Sequence, residues 1–343
     1  MNALITGGSG YFGSLLVDRL LAKQWNCRVL DLNTYHGNES VQYHKGDIRD
    51  YNDVRNACAN VDVVFHNVAQ VPLAKDKKLF DSVNKLGTEN ILNASLESGV
   101  KKIIYTSSSA VYGVPLKNPV TENMLPIPME SYGRAKYEAE KLCKNYISDK
   151  FEVIIVRPRT ILGHGRLGIF QILFEWINEG KNIPVLGDGD NLYQFVHADD
   201  LADALILCSS SNVKSGIYNC GSEHYLSMRA TLENLCKYAN TGSKVKSVPF
   251  NIAIAGMKIS SYIGLSPLGP YHALMYGRSM YFDISKLKNN LGWQPKYSTD
   301  EMFRQSYDWY CSNRQKILNS SESGSHHQSK VKQGVLALFQ KFL

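Results

Sequence analysis

Five short runs in the first 158 residues are apolar with almost no alternation: "NALIT" (2–6), "CRVLDL" (27–32), "VDVVFHN" (61–67), "KKIIYTSS" (101–108) and "FEVIIVRP" (151–158). A strand that is apolar at successive positions is buried on both faces, which is the pattern of a parallel sheet. Between these runs lie segments with helical spacing of apolar positions, "YFGSLLVDRLLAKQ", "NKLGTENILNASLESG" and "SYGRAKYEAEKL". Strand and helix in alternation predict a doubly wound α/β domain over residues 1–158.

After "RPRTILG" the pattern changes to loops and helices, with Gly and Pro around 180–190 and 264–270. Residues 159–317 therefore read mainly as a smaller, mixed substrate lobe. Two pieces within it, "YQFVHADDLADALILC" and "GIYNCGS", again look like strand and helix, so parts of 193–222 are expected to complete the sheet. Residues 318–343 form a polar Ser-rich linker followed by "KVKQGVLALFQKFL", where Val331, Val335, Leu338 and Phe342 fall along one helix face among three lysines and no acids. That face suits either peripheral contact with an anionic membrane or docking on protein, its own or a second subunit's.

Length and composition narrow the picture. The 343 residues, 44% hydrophobic and 20% charged, are ordinary for a globular protein. No window supplies the roughly 18 apolar residues of a spanning helix, and "MNALITGG" has no leader pattern, so a cytoplasmic protein is expected. Seven scattered cysteines without a C-x-x-C pair point to reduced thiols rather than disulfides or zinc, and His326 and His327 lack a third ligand, so no metal site is expected. The net charge of +7 is dispersed, without the concentrated basic face that nucleic acid requires.

Chemistry enters at "TGGSGYFG" (6–13), which follows the first strand and opens the first helix. Glycines there permit a tight turn and close approach of backbone to a pyrophosphate at a helix N-terminus, the arrangement of a Rossmann-type dinucleotide site. Gly8, Gly10 and Gly13 fit one glycine spacing, and Gly7, Gly10 and Gly13 another; Tyr11 and Phe12 lie inside both. Asp31 ends the second strand 21 residues after Gly10, where a carboxylate can accept from ribose hydroxyls and repel a 2'-phosphate, favouring NAD over NADP.

Tyr132 and Lys136 lie four apart at the start of a helix, hence on one face. Either they form a proton-transfer pair, the ammonium stabilising the phenolate, or Tyr132 packs while Lys136 and Glu140 make an ordinary exposed arrangement.

These strings, with "GDIRD" (46–50), "HNVAQ" (66–70), "NKLGTENIL" (84–92), "YTSSSAVYG" (105–113), "RP" (157–158) and "HADDLADA" (197–204), occur in the order of the extended short-chain dehydrogenase/reductases, which the chain resembles over about residues 3–312. The resemblance implies Tyr132 as catalytic acid/base, Lys136 as the residue that lowers its pKa and holds the nicotinamide ribose, and Ser108 as the hydroxyl partner of the reacting oxygen. It implies Asp47 and Ile48 at the adenine, Ala69 beneath the cofactor, Pro158 beside the carboxamide, and a homodimer.

Within that family, 4,6-dehydratases carry an Asp-Glu pair where this chain has Ser109 and Ala110. Nucleotide-sugar epimerases usually place a phosphate-binding arginine where this chain has Tyr193, and Arg278 is displaced from the usual second one. The apolar segment around 248–277 resembles 3-beta-hydroxysteroid-dehydrogenase-like and ketoreductase branches, whereas "VYGVPLKNPVTENMLPIPMESYGRAK" resembles the sugar-modifying branch. The expected activity is an NAD-dependent sugar 4-epimerase or 4-ketoreductase on a nucleotide- or polyprenyl-diphosphate-linked sugar. The alternatives are a steroid-dehydrogenase-like enzyme of an apolar alcohol or ketone and a non-catalytic dinucleotide-sensing protein.

Overall fold

A computed structural model describes residues 1–70, 77–166, 168–249, 251, 275 and 277–319. Its strands are β1 (Asn2–Thr6), β2 (Asn26–Asp31), β3 (Gln42–Lys45), β4 (Val63–His66), β5 (Lys102–Thr106), β6 (Glu152–Pro158), β7 (Thr160–Leu162), β8 (Ile183–Leu186), β9 (Phe195–His197), β10 (Gly216–Cys220) and β11 (Val245–Val248). The helices are α1 (Tyr11–Ala22), α2 (Tyr51–Cys58), α3 (Lys77–Asp81), α4 (Gly87–Glu97), α5 (Ser131–Asn145), α6 (Ile169–Asn178), α7 (Ala198–Cys208), α8 (Met228–Ala239), α9 (Ser285–Leu291) and α10 (Thr299–Asn319). A π-helical turn (Ser82–Leu86) joins α3 to α4.

Seven strands form one parallel sheet in the order β10-β6-β5-β4-β1-β2-β3. The reason the strands lack alternation is visible in the core. Ile5, Val29, Phe65, Ile104 and Val156 point into the cluster that α1 and α7 cover. Their neighbours Leu4, Leu30, Val64, Ile103 and Ile155 point into the opposite cluster, with buried residues of α2, α4 and α5. Both faces are thus dry, as parallel strands require. The direction of winding reverses between β1 and β4, opening a crevice at the carboxyl ends of these strands, where such sheets bind ligands.

β3 escapes a search for apolar runs. Its sequence, "QYHK", is polar and partly exposed because the strand lies at the sheet edge, paired only with β2. At the opposite edge, β10 pairs in parallel with β6, Cys220 opposite Pro158. Beyond β6, helices α6, α8 and α10 pack a third cluster that includes Phe174, Trp176, Leu235 and Tyr310 around β8 and β9. Among the described residues no helix is long and apolar enough to cross a membrane. The amphipathic pattern at 330–343 and most of the apolar segment at 248–277 lie outside the described residues.

Candidate active site

The glycine-rich turn is shaped by close approach rather than by flexibility. Gly7 has φ +73°, in the left-handed region. A Cβ on Gly13 would lie 2.0 Å from the Gly7 carbonyl oxygen, and one on Gly8 would lie 2.5 Å from Val29 Cγ2. Gly10 differs: a Cβ there would meet only the Gly7 carbonyl oxygen, at 3.3 Å. The turn therefore draws on both glycine spacings in the sequence, and it leaves the backbone at Gly10, the N-cap of α1, open on one side. Tyr11 and Phe12 are buried in the first core cluster.

Asp31, at the end of β2, reaches back to this turn. Its Oδ2 accepts from the Ser9 amide (3.0 Å) and its Oδ1 from the Asn33 amide (2.9 Å). Asp47 is tied to Arg49, whose Nε donates to it at 2.8 Å, and this contact holds the Asp47 carboxyl below its usual range. Ile48 is buried against Gly87. Ala69 is half-buried beside Gln70, whose backbone is fixed at both ends by buried Asn84. These residues and Pro158 all stand at carboxyl ends of sheet strands or just beyond them. They fit a bound dinucleotide: a helix N-terminus open at Gly10, a carboxylate one strand away, and backbone too close-packed for side chains.

The chemical cluster forms where α5 meets the turn after β5. Glu130 caps α5, accepting from the Tyr132 and Gly133 amides at 2.7 and 2.5 Å. A Cβ on Gly133 would lie 2.4 Å from the Ala110 carbonyl oxygen, so α5 packs directly on the short 3-10 turn Ser109–Tyr112. Ser108 caps that turn, accepting from the Ala110 amide at 3.1 Å. Ser108 is thereby brought to the phenol of Tyr132.

Burial pushes the Tyr132 phenol up to about 12, against the lowering effects of the Ser108 hydroxyl and the Arg166 cation. Lys136 is 2% exposed; its Nζ donates to the Thr106 carbonyl (2.8 Å) and stands 4.7 Å from the centre of the Tyr105 ring. Burial lowers it to about 7, against the weaker raising effects of Cys143 and Glu140. Without cofactor the Lys136 ammonium is held at the end of β5, and the cation acting on the Tyr132 phenol is Arg166. The exposed i,i+4 alternative falls, since both Lys136 and Glu140 are buried. Glu140 accepts from Arg157 Nε (2.8 Å) and Nη2 (2.5 Å) and from Ser107 Oγ (2.5 Å).

Three contributors carry no motif signal. Glu130 could have been found as an acid at a helix N-cap. Arg166 and Arg159 could have been suspected only as charges beside an apolar strand. The Arg166 guanidinium lies 5.5 Å from the centre of the Tyr11 ring, and burial lowers it to about 10. Arg159 is 1% exposed, between the rings of Tyr193 (4.6 Å) and Phe282 (5.6 Å).

His164, His197 and Asp199 place ligand-type atoms within 4.8 Å of one another. His197 is already committed, its Nδ1 accepting from the Asp199 amide and its Nε2 bonded to Gln305, while Asp199 pairs with Arg19. The cluster reads as a helix cap.

A family model described as "NAD dependent epimerase/dehydratase family" matches residues 3–221. The chain belongs to that family. It is an NAD-dependent enzyme of this family, with the Rossmann-type sheet described above. The y4nG protein of Sinorhizobium fredii is 51% identical over 339 residues, 98% of this chain and 85% of that protein. Human sterol-4-alpha-carboxylate 3-dehydrogenase, decarboxylating, is 27% identical over 318 residues, 87% of this chain and 85% of that one. The Thermus thermophilus UDP-glucose 4-epimerase, solved as a complex with NAD, superposes with a TM-score of 0.74 at 26% identity, covering 91% of this chain and 99% of that one. The proteins this chain is similar to thus include one named for an activated sugar and one named for a carboxylated sterol.

Proposed function

We propose that this enzyme interconverts a secondary alcohol and a ketone on an activated sugar, as a 4-epimerase or 4-ketoreductase. The observation that carries the reading is the hydrogen bond of the Ser108 hydroxyl to the Tyr132 phenol, with Lys136 one turn along α5 on the Thr106 carbonyl that ends β5, and with Ser109 and Ala110 where elimination would need two acids. In the oxidising direction the Tyr132 phenolate, which a Lys136 ammonium at the nicotinamide ribose would favour, takes the hydroxyl proton and becomes the phenol, while the Ser108 hydroxyl hydrogen-bonds the same oxygen. NAD, when bound, supplies the acceptor and donor of the carbon-bound hydrogen. Lys136 would hold the nicotinamide ribose, and a hydrogen bond there would help it keep its proton. The turn Gly7, Gly10, Tyr11, Phe12 and Gly13 would hold the pyrophosphate, Asp31 the adenosine ribose, Asp47 and Ile48 the adenine, and Ala69 and Pro158 the nicotinamide end.

The test is to purify the protein without added cofactor, denature it and measure released dinucleotide, then incubate native protein with UDP-glucose, UDP-galactose and UDP-glucuronic acid. Near-stoichiometric NAD and conversion of a sugar to its 4-epimer are expected for an epimerase. NADH consumption with a keto-sugar is expected for a ketoreductase. Neither activity on any sugar overturns the reading.

A second reading, oxidation of an apolar carboxylated alcohol, is favoured by one observation. Tyr193 occupies the position of the usual phosphate arginine, and its hydroxyl meets Thr160 Oγ1 at 3.2 Å instead of offering a cation.

A further inference from the structure

Among the described residues, Arg159 is a buried cation without a counter-charge. Its Nη1 donates to Ser109 Oγ (2.9 Å) and its Nε to the Gln194 carbonyl oxygen (3.2 Å). Both acceptors are neutral, and Nη2 is shielded from solvent with no partner. Among the described residues no carboxylate pairs with it, whereas Arg157, two residues earlier, is bound by Glu140. A guanidinium cannot shed its proton to escape this cost. Two aromatic faces hold its plane, so its free edge is fixed before any partner arrives.

Its location says what the partner is. Ser109 follows Ser108 in the chain, and Arg159 joins β6 to β7 on the same carboxyl-end side of the sheet. We propose that Arg159 recognises a carboxylate carried by the substrate's own carbon skeleton near the reacting hydroxyl, so that the preferred substrate is a hydroxy acid rather than its neutral counterpart. A skeletal carboxylate fits better than a nucleotide phosphate, because the donor is tied to the serine next to the one that would hold the reacting oxygen. The inference rests on the placement of the reacting oxygen at Ser108 and Tyr132, and it leaves open whether the skeleton is a sugar or an apolar ring.

The experiment uses two matched pairs on the NAD-loaded full chain: UDP-glucuronic acid against UDP-glucose, and a 3β-hydroxysteroid 4-carboxylic acid against the same steroid without the carboxyl. Binding is measured by calorimetry for the parent, Arg159→Met and Arg159→Lys. The expected result is at least tenfold tighter binding of the acid in one pair, loss of that preference in Arg159→Met and partial retention in Arg159→Lys. NAD binding should be unchanged in both variants, a control that a purely structural role would fail. Preference in the steroid pair alone sustains Arg159 and removes the sugar reading. No acid preference in either pair, or a preference that survives Arg159→Met, overturns the proposal. Should Arg159→Met not fold, the Arg159→Lys ratio decides: an acid preference equal to the parent's overturns the proposal.

Discussion

Arg157 and Arg159 flank Pro158 and are each 1% exposed, yet their surroundings are opposite. Arg157 has a bidentate carboxylate in Glu140, a Tyr112 hydroxyl at 2.7 Å and the Tyr112 ring 4.8 Å away; Glu140 outweighs the cost of burial and raises its pKa. It locks β6 to α5, the helix that carries Tyr132 and Lys136. Arg159 has two neutral acceptors, two rings and an unpaired nitrogen. One strand end thus holds a satisfied cation that builds the scaffold and, just beyond it, an unsatisfied one beside Tyr193 and Phe282. A buried charge that its own fold leaves unpaired is a stronger pointer to a ligand than one the fold has neutralised.

The largest expected effect separates chemistry from scaffold on the Arg157 side. Tyr132→Phe removes the proton-transfer group and leaves the Arg157–Glu140 pair intact. Turnover should fall by about 10³–10⁴-fold, the upper range for general acid–base catalysis, while NAD binding by fluorescence and the thermal midpoint remain those of the parent. Retained turnover would sink the assignment of Tyr132.

Glu140→Ala attacks the pair itself. It converts Arg157 into what Arg159 already is, a buried cation without an anion, and frees Ser107 as well. Breaking such a pair costs about 3–5 kcal/mol, to be read from urea unfolding. A loss under about 1 kcal/mol, the scale of an exposed pair, would mean that Glu140 does not hold α5 to the sheet.

Lys136 sharpens the comparison because it meets the same problem as Arg159 with a different chemistry. It too is a buried cation held by a carbonyl and an aromatic face, but an ammonium can lose its proton, and burial lowers it to about 7. Between that value and the ordinary lysine range the unfolded chain holds a proton that the folded one lacks. Stability of cofactor-free protein should therefore rise with pH from about 7 towards 10, by at most about 1.4 kcal/mol per pH unit. Below pH 7 both states are protonated and this slope ends. Lys136→Met should remove the slope in thermal unfolding at pH 7, 8 and 9; an unchanged slope would show that Lys136 is not its source.

Much of this arrangement was legible in the chain. The non-alternating strands gave the parallel sheet, since double burial leaves that trace in β1, β2, β4, β5 and β6. The polar edge strand β3 left none. Local spacing singled out Asp31, Tyr132 and Lys136, and the order of motifs added Ser108 through the family resemblance. Arg159 and Arg166 were illegible for the converse reason: their meaning comes from Tyr193, Phe282 and Tyr11, which reach them from distant parts of the chain. The partner of Lys136 was not legible either, since spacing puts two side chains on one face without saying that one turns to the carbonyl of Thr106.

The smallest expected effect is the most discriminating. Arg159→Met deletes two hydrogen bonds to neutral acceptors and strips Ser109 Oγ and the Gln194 carbonyl of a partner, a loss of about 1 kcal/mol for each bond. It also removes an uncompensated buried cation, and methionine retains an unbranched apolar stem between Tyr193 and Phe282. The two terms oppose each other, so unfolding free energy should stay within about 1 kcal/mol of the parent, against the several lost in Glu140→Ala. A loss as large as that of Glu140→Ala would make Arg159 a second scaffold cation and erase the difference between the two sides of Pro158. Near-neutral stability together with lost preference for the acid would place the value of Arg159 in ligand recognition, where a fold can leave a charge unpaired until its substrate arrives.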